Sequence, residues 1–329
     1  MTVAVIPLAA CGGGHHAKKP VVSPTPSTSA VSTTATPPPA PAINPFTGGK
    51  PSANRVVAVK IEDTAAGRPQ LGIDKADIVY IEQVEGGLTR LVAVFNTTLP
   101  VVEPVRSTRA NDPELLAQFG AIDYAASGGS HAELKPMDHS NLRTTINDRG
   151  GPGFQRDDNR PIPNNLRANL SVIGQVLKGA FAKSIGLVFS SAIANSATLP
   201  GTTVRTAVGG TPVAFNWIAS SKRYARLIDG AYQHTATGAL ISTPNVIVQF
   251  CKSTVYTADL DVLGNPAQYT HTIGSGKVVV FRNGRRIVGT WSRPSATSGT
   301  TLKDAAGKPI ALSPGGEWFV LVATGSQLS

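Results

Sequence analysis

Cysteine is scarce in this chain of 329 residues: there are two, Cys11 and Cys251. Two thiols exclude a disulfide-stapled scaffold and a multi-cysteine zinc site. Charge is scarce as well, at 15% of residues against about 25% in ordinary globular chains. Aromatics make up only 6%. No run of about 18 consecutive apolar residues occurs, so no helix written here is long enough to span a bilayer. Catalytic signatures are missing too. There is no Gly-x-Ser-x-Gly elbow, and Ser220-Ser221-Lys222 lacks Ser-x-x-Lys spacing. Cys251 has no neighbouring His to activate it and reads as an inert, buried thiol. What the chain has in quantity is 33 Gly, 25 Pro and a net charge of +10.

At the N-terminus an apolar run ends Leu8-Ala9-Ala10-Cys11 and continues Gly12-Gly13-Gly14. This resembles a bacterial lipobox, which implies cleavage before Cys11 and lipidation of its thiol. No Lys or Arg precedes Cys11, whereas a secretory signal carries a basic n-region. The true start is therefore expected upstream of Met1, with residues 1–11 as a signal remnant. Pro20 to Ala42 holds seven Pro and nine Ser or Thr and no charge. Such a stretch buries too little apolar surface to offset its ordering entropy. Residues 12–42 are expected to be a disordered tether reaching about 50–90 Å.

The expected fold class is α+β: an α+β domain over 43–196, then a mostly-β, sandwich or barrel-like domain over 197–329. In the first, Val56–Ile61, Asp77–Val84 and Leu88–Phe95 read as strands, with a hairpin turn at Gly86-Gly87. Asn111-Asp112-Pro113-Glu114 reads as a helix start with Asn111 as cap. Ile122–Ala126 reads as a strand leading through Ser127–Ser130 into a short helix. Residues 138–165 read as a long loop, and Leu166–Ala182 has helical apolar spacing. The second domain shows short strands divided by turns and no convincing helix. Arg282-Asn283-Gly284-Arg285 marks a type I′ hairpin. Charge separates the two: 43–196 is net +1 and 197–329 net +7.

The densest polar cluster is Glu82, Glu85, Gly86, Gly87 and Arg90, followed by Arg106, Ser107 and Arg109. Arginines before a helix start can fork onto a phosphate or carboxylate. Three readings stay open: Arg–Glu pairs that staple the hairpin, an anionic-ligand pocket, or a site where Asp77, Glu82 or Glu85 acts as base or metal ligand. Ser127-Gly128-Gly129-Ser130, between strand and helix, is a second candidate, because backbone N–H groups there can hold an anion. It is no dinucleotide or Walker motif. His131 beside it reads as a surface or capping residue. Asp157-Asp158-Asn159, between Arg156 and Arg160, lacks EF-hand spacing and reads as a self-paired loop. No metal site and no cofactor is expected.

Lys222, Arg223, Arg226, Arg282, Arg285, Arg286 and Arg293 make the second domain basic, with Trp217, Tyr224, Phe281 and Trp291 near them in sequence. Inside a cell this would point to nucleic acid. Outside it, which the lipobox implies, nucleic acid is not expected, and the available polyanions are wall polymers, phosphorylated glycans and lipid headgroups.

Several segments, in order, resemble the YerB-like lipoproteins, a bacterial envelope family with two adjacent uncharacterised domains. They are Asn44-Pro45-Phe46-Thr47-Gly48, Arg68-Pro69-Gln70, Ala76-Asp77-Ile78-Val79-Tyr80, Val84–Arg90 and Pro104–Arg109. Later come Asn245–Gln249, Gly274–Lys277, Gly289-Thr290-Trp291 and Asp304–Gly307. The resemblance covers about Asn44 to Val322. It implies a lipid-anchored extracytoplasmic protein and no settled chemistry. One departure is visible: the family tends to Pro-His-Asn-Leu where this chain has Pro163-Asn164-Asn165-Leu166. The missing imidazole weakens an enzymatic reading. The expected function is a non-catalytic binding or assembly module on the outer face of the membrane. Its expected partner is an anionic wall polymer or an envelope protein. The alternative is an enzyme acting on a phosphorylated wall polymer or polyprenyl phosphate.

Overall fold

The structure is a computed structural model and describes residues 42–193, 198–261 and 263–329. Cys11 and the tether up to Pro41 lie outside the described residues. The first half forms β1 (Val57–Glu62), β2 (Ile78–Gln83), β3 (Thr89–Phe95), β4 (Val101–Val102), α1 (Asp112–Leu116) and β5 (Asp123–Ala126). It continues with α2 (His131–Asp138), β6 (Arg143–Ile146), β7 (Phe154–Arg156), β8 (Leu166–Asn169) and α3 (Leu170–Leu177). The second half supplies β9 (Leu199–Pro200), β10 (Thr203–Val208), β11 (Thr211–Ile218), β12 (Arg223–Ile228), β13 (Ala231–Tyr232), β14 (Ser242–Thr243) and β15 (Asn245–Cys251). Then follow β16 (Ser253–Leu260), β17 (Pro266–Thr270), β18 (Gly274–Arg282), β19 (Arg285–Arg293), β20 (Thr301–Asp304) and β21 (Glu317–Ala323).

One mixed sheet runs through both halves in the order β20-β19-β18-β15-β21-β2-β3-β1-β5-β6, with β9 on β19. The seam is the parallel pair β2–β21, which sets Ile78 opposite Glu317 and Ile81 opposite Val320. Its central strands read as nearly unbroken apolar runs because both faces are covered. On one face Ala58, Ile78, Tyr80, Val92, Val94, Ile247 and Phe319 pack with Leu115, Leu116 and Met137 of α1 and α2. On the other, Val59, Val79, Ala93, Val248 and Val320 pack with Leu170 and Ile173 of α3. The small antiparallel sheet β10–β14 covers this second face too, through Val204, Phe215 and Tyr224. Phe215 meets Trp318 edge-on, with ring centres 5.8 Å apart. The class is thus α+β with mostly strands. In the second half a small sheet lies face to face with a large one, the sandwich form of the expectation, and the described residues there hold no helix.

Three local expectations are corrected. The stretch 138–165 is no plain loop, since β6 and β7 lie in it. Leu166–Asn169 is strand rather than helix: Leu166 and Ala168 alternate into the core, and the Asn169 side chain then caps α3 by accepting from the Val172 N–H at 3.2 Å. Asn111 does not cap α1 through its side chain, because its amide donates to Glu82 Oε2 at 2.9 Å.

Among the described residues no helix is long and apolar enough to cross a membrane. Cys251 is fully buried on β15, and burial pushes its thiol up to about 12, which fits an inert core residue.

Candidate functional site

Strand alternation builds the site. On one face of β1, β2 and β3 the series Ala58-Lys60-Glu62, Ile78-Tyr80-Glu82 and Val94-Val92-Arg90 all turn from apolar to charged in the same direction. Register aligns them: Arg90 lies opposite Glu62 on one side and Glu82 on the other. The apolar core of that face therefore ends in a charged shelf. Above the shelf opens a cleft of about 680 Å³. Its lining includes Glu62, Glu85, Arg90, Arg106, Ser107, Arg109, Gly129, Ser130, Glu133 and Asn164 from the first half, and Leu260 and Asp261 from the β16–β17 hairpin. The hairpin is pinned by the Tyr256 hydroxyl on the Ala132 carbonyl (3.1 Å) and the Tyr269 hydroxyl on Glu114 (3.1 Å).

Two of the three arginines are engaged by carboxylates. Arg106 Nε pairs with Glu62 Oε2 at 2.7 Å. Arg109 pairs with Glu85 and, through Nη1, with Glu133 Oε1 at 2.8 Å. Burial opposes the charge on Arg109, but Glu133 and Glu85 still hold its guanidinium above its ordinary value. Burial likewise opposes the Glu62 carboxylate, yet Arg90, the Thr64 N–H and Arg106 keep it below the usual carboxylate range. Arg90 differs. It has no carboxylate within ion-pair distance among the described residues, and only its Nη1 is bonded, to the Ser107 carbonyl at 3.2 Å. Nε is buried without a partner. Burial, then the like charge of Arg109, lowers Arg90 to about 10, so it stays charged at neutral pH.

Glu82 is not part of the lining. It lies beneath the shelf, fully buried, bound by Lys60 and the Asn111 amide. Lys60 Nζ also reaches Asp112 Oδ1 at 2.7 Å, and Asp112 Oδ2 accepts from Thr108, Tyr124 and the Arg109 N–H. Burial pulls Lys60 down to about 8 against the attraction of Asp112. This network is a foundation for the Arg106–Arg109 loop, and its charges are compensated as burial requires.

The Ser127–Ser130 turn is divided. Gly129 and Ser130 line the cleft, whereas Ser127 and Gly128 do not. Ser127 exchanges backbone bonds with Arg106 and Asp148. A side chain at Gly128 would begin 2.0 Å from Asp148 Oδ2. The anion expected at the α2 N-terminus is internal: Glu133 takes the Ser130 N–H at 2.9 Å in a capping box. Asp77 is remote in role, since its Oδ2 accepts from the Asn96 and Thr97 N–H groups and so secures a turn. Asp157 pairs with Arg167 and Asn159, a self-satisfied loop. Among the described residues no group of His, Cys, Asp or Glu is placed to hold a metal ion.

The basic residues of the second half do not form one surface. Arg226 is buried on Asp63, with contacts of 2.7 and 2.8 Å, and lies over the Trp318 ring. Arg282 is buried on the carbonyls of Ala311, Ser190 and Ser191. Arg293 is buried on Thr272 and on the Glu114, Ala296 and Ser298 carbonyls. Lys222 and Arg285 are exposed, and Arg223 and Arg286 partly so.

Reading the chain by itself found Glu85, Arg90, Arg106 and Arg109 because they are close in sequence. Glu62, Glu133 and Asp261 were missed. Strand register brings Glu62 in, the capping box Glu133, and the hairpin Asp261. Asn164, noted only as a departure from a family pattern, lines the cleft, and its Oδ1 is buried without a partner.

Residues 46–183 match the N-terminal domain, and 202–319 the C-terminal domain, of a family described as "Protein of unknown function (DUF3048)". YerB of Bacillus subtilis (strain 168), which is named a lipoprotein, is 28% identical over 286 residues, covering 83% of this chain and 82% of YerB. The crystal structure of the YerB protein from Bacillus subtilis superposes with a TM-score of 0.73 at 23% identity, covering 87% of this chain and 99% of that one. By both of its domains, in sequence order and over most of its length, this chain belongs to the DUF3048 family.

Proposed function

We propose that the protein is a lipid-anchored binding module of the cell envelope, tethered through Cys11 on the outer face of the membrane, whose cleft takes a ligand with an anionic group. The lipid anchor is supported by the Leu8-Ala9-Ala10-Cys11 pattern and by the lipoprotein name of YerB. The observation that carries the binding role is Arg90, a guanidinium nine-tenths buried in the cleft wall with its Nε unpartnered and, among the described residues, no carboxylate within ion-pair distance. Nε and Nη2 form the edge of a guanidinium that grips a carboxylate or phosphate with two bonds. Catalysis on a phosphorylated polymer is the weaker reading, because Glu82 is sealed under the shelf and Glu85 is held as a carboxylate with one oxygen bound by Arg109.

The test is titration of the purified protein with inorganic phosphate, followed by thermal shift. The wild type is expected to be stabilised as phosphate rises. Arg90→Lys keeps the charge but loses the fork, and is expected to bind about tenfold more weakly, read as a smaller phosphate-induced rise from its own unliganded Tm. Equal phosphate response in both proteins would falsify the role of Arg90. Palmitate incorporation that survives Cys11→Ala would remove the anchor.

A further inference from the structure

The cleft that holds Arg90 is not an electropositive hole. Its lining carries five carboxylates, Glu62, Glu85, Glu133, Asp148 and Asp261, against three guanidiniums, Arg90, Arg106 and Arg109. Two negative charges are in excess. A ligand that is only anionic gains at Arg90 and is repelled by the rest of the wall. In a partly dehydrated cleft that repulsion is large enough to matter.

The unpaired polar atoms are of both kinds. Donors remain on Arg90, where Nε is buried without a partner and Nη2 makes no bond. Acceptors remain on Glu85, whose Oε1 is buried and unpartnered while the other oxygen serves Arg109, and on Asn164 Oδ1, also buried and unpartnered. Glu85 and Asn164 are each 7% exposed, so water does not freely satisfy them. A buried carboxylate oxygen left unbonded costs stability that a cationic donor would recover.

Resting on the anion-binding reading of this same cleft, the geometry points to a zwitterionic ligand, whose acidic group takes the unpaired edge of Arg90 and whose ammonium is received by Glu85 Oε1, with Asn164 Oδ1 as a further acceptor in the same cleft. Two sources share that chemistry. One is an amino sugar carrying a phosphate, the other an amino acid or short peptide with free termini. A cleft of about 680 Å³ admits either.

Four small probes decide it on the intact protein: glucosamine 6-phosphate, glucose 6-phosphate, inorganic phosphate and glycylglycine, each titrated by calorimetry at pH 7. Glucosamine 6-phosphate differs from glucose 6-phosphate only in having an ammonium for a hydroxyl, and is expected to bind about tenfold more tightly. Glu85→Gln is expected to erase that preference while phosphate still binds, no more weakly than to the wild type. Asn164→Ala, which breaks no side-chain hydrogen bond among the described residues, gives a second variant should Glu85→Gln fold poorly, and is expected to narrow the gap. Tighter binding of glycylglycine than of glucosamine 6-phosphate would assign the acid as a carboxylate; the reverse order would assign it as a phosphate. Equal affinities for glucosamine 6-phosphate and glucose 6-phosphate would overturn the zwitterion and leave the anion site standing. Binding of none of the four would overturn both.

Discussion

Glu317 shows what one side chain can cost in this fold. It sits in β21 at the seam, 1% exposed, with neither carboxylate oxygen hydrogen-bonded. Burial raises its pKa well above the ordinary carboxylate value, and the nearby Asp77 charge adds to the effect. The native state therefore keeps a proton that the unfolded chain gives up above about pH 4.3. With more protons bound in the native state, stability falls as pH rises from there toward the native pKa. Glu317→Gln removes that linkage while nearly conserving shape. The variant is expected to be more stable than wild type in urea at pH 8, with the gap closing as pH approaches 4. A gap of equal size at both pH values would show that the carboxyl finds a partner. The sequence alone does not mark Glu317 as buried. Glu317 follows Gly315-Gly316 and looks like a turn residue, and only the pairing of β21 with both β15 and β2 buries it.

Turns and strands were more legible than sites. The Asn283-Gly284 signature predicted a type I′ hairpin, and both residues adopt left-handed φ, 50° and 68°, between β18 and β19. Gly284 has a second constraint: a Cβ there would lie 3.0 Å from Trp217 Nε1. Gly284→Ala is expected to lose about 1 kcal/mol or more in a urea melt, from backbone strain plus displacement of Trp217. A loss of only a few tenths would mean that the turn relaxes freely. Other signature residues of the family resemblance have the same structural character. Gly48, with φ 64°, leaves room for Phe189, and a Cβ on Gly289 would meet the Lys303 carbonyl at 2.0 Å, between β19 and β20. Other elements have a pattern that depends on their neighbours. Leu166–Ala182 has helical spacing throughout, but its first four residues pair with β7 and β4. The partly exposed strand β16 carries no clear alternation and was not expected at all.

At the scale of the molecule, the sequence divides where the structure does not. The two family matches are separated at residues 183–202, and net charge changes there from near neutral to strongly positive. Yet the described residues form one compact unit, and the large sheet crosses the division at β2–β21. Buried polar contacts cross it as well: Arg226 on Asp63, and the Gln233 amide on Gln70 at 2.7 Å. Part of the apparent basicity of the second half is therefore internal, spent on Asp63 and on backbone carbonyls rather than displayed to a polymer. A first half expressed alone would expose the β2 edge and the apolar face that β10–β14 covers, and an unpaired apolar edge invites aggregation. It would also remove Arg226, the buried partner of Asp63. We expect residues 43–196 alone to be insoluble or lacking fixed tertiary structure, and the intact body to unfold in one transition. The decisive measurement follows tryptophan fluorescence and far-ultraviolet circular dichroism together through a urea melt. All three tryptophans, Trp217, Trp291 and Trp318, lie in the second half, while the dichroism reports both halves. Coincident curves are expected; a fluorescence transition displaced from the dichroism curve would show that the halves fold independently and that the shared sheet is a contact rather than a common core.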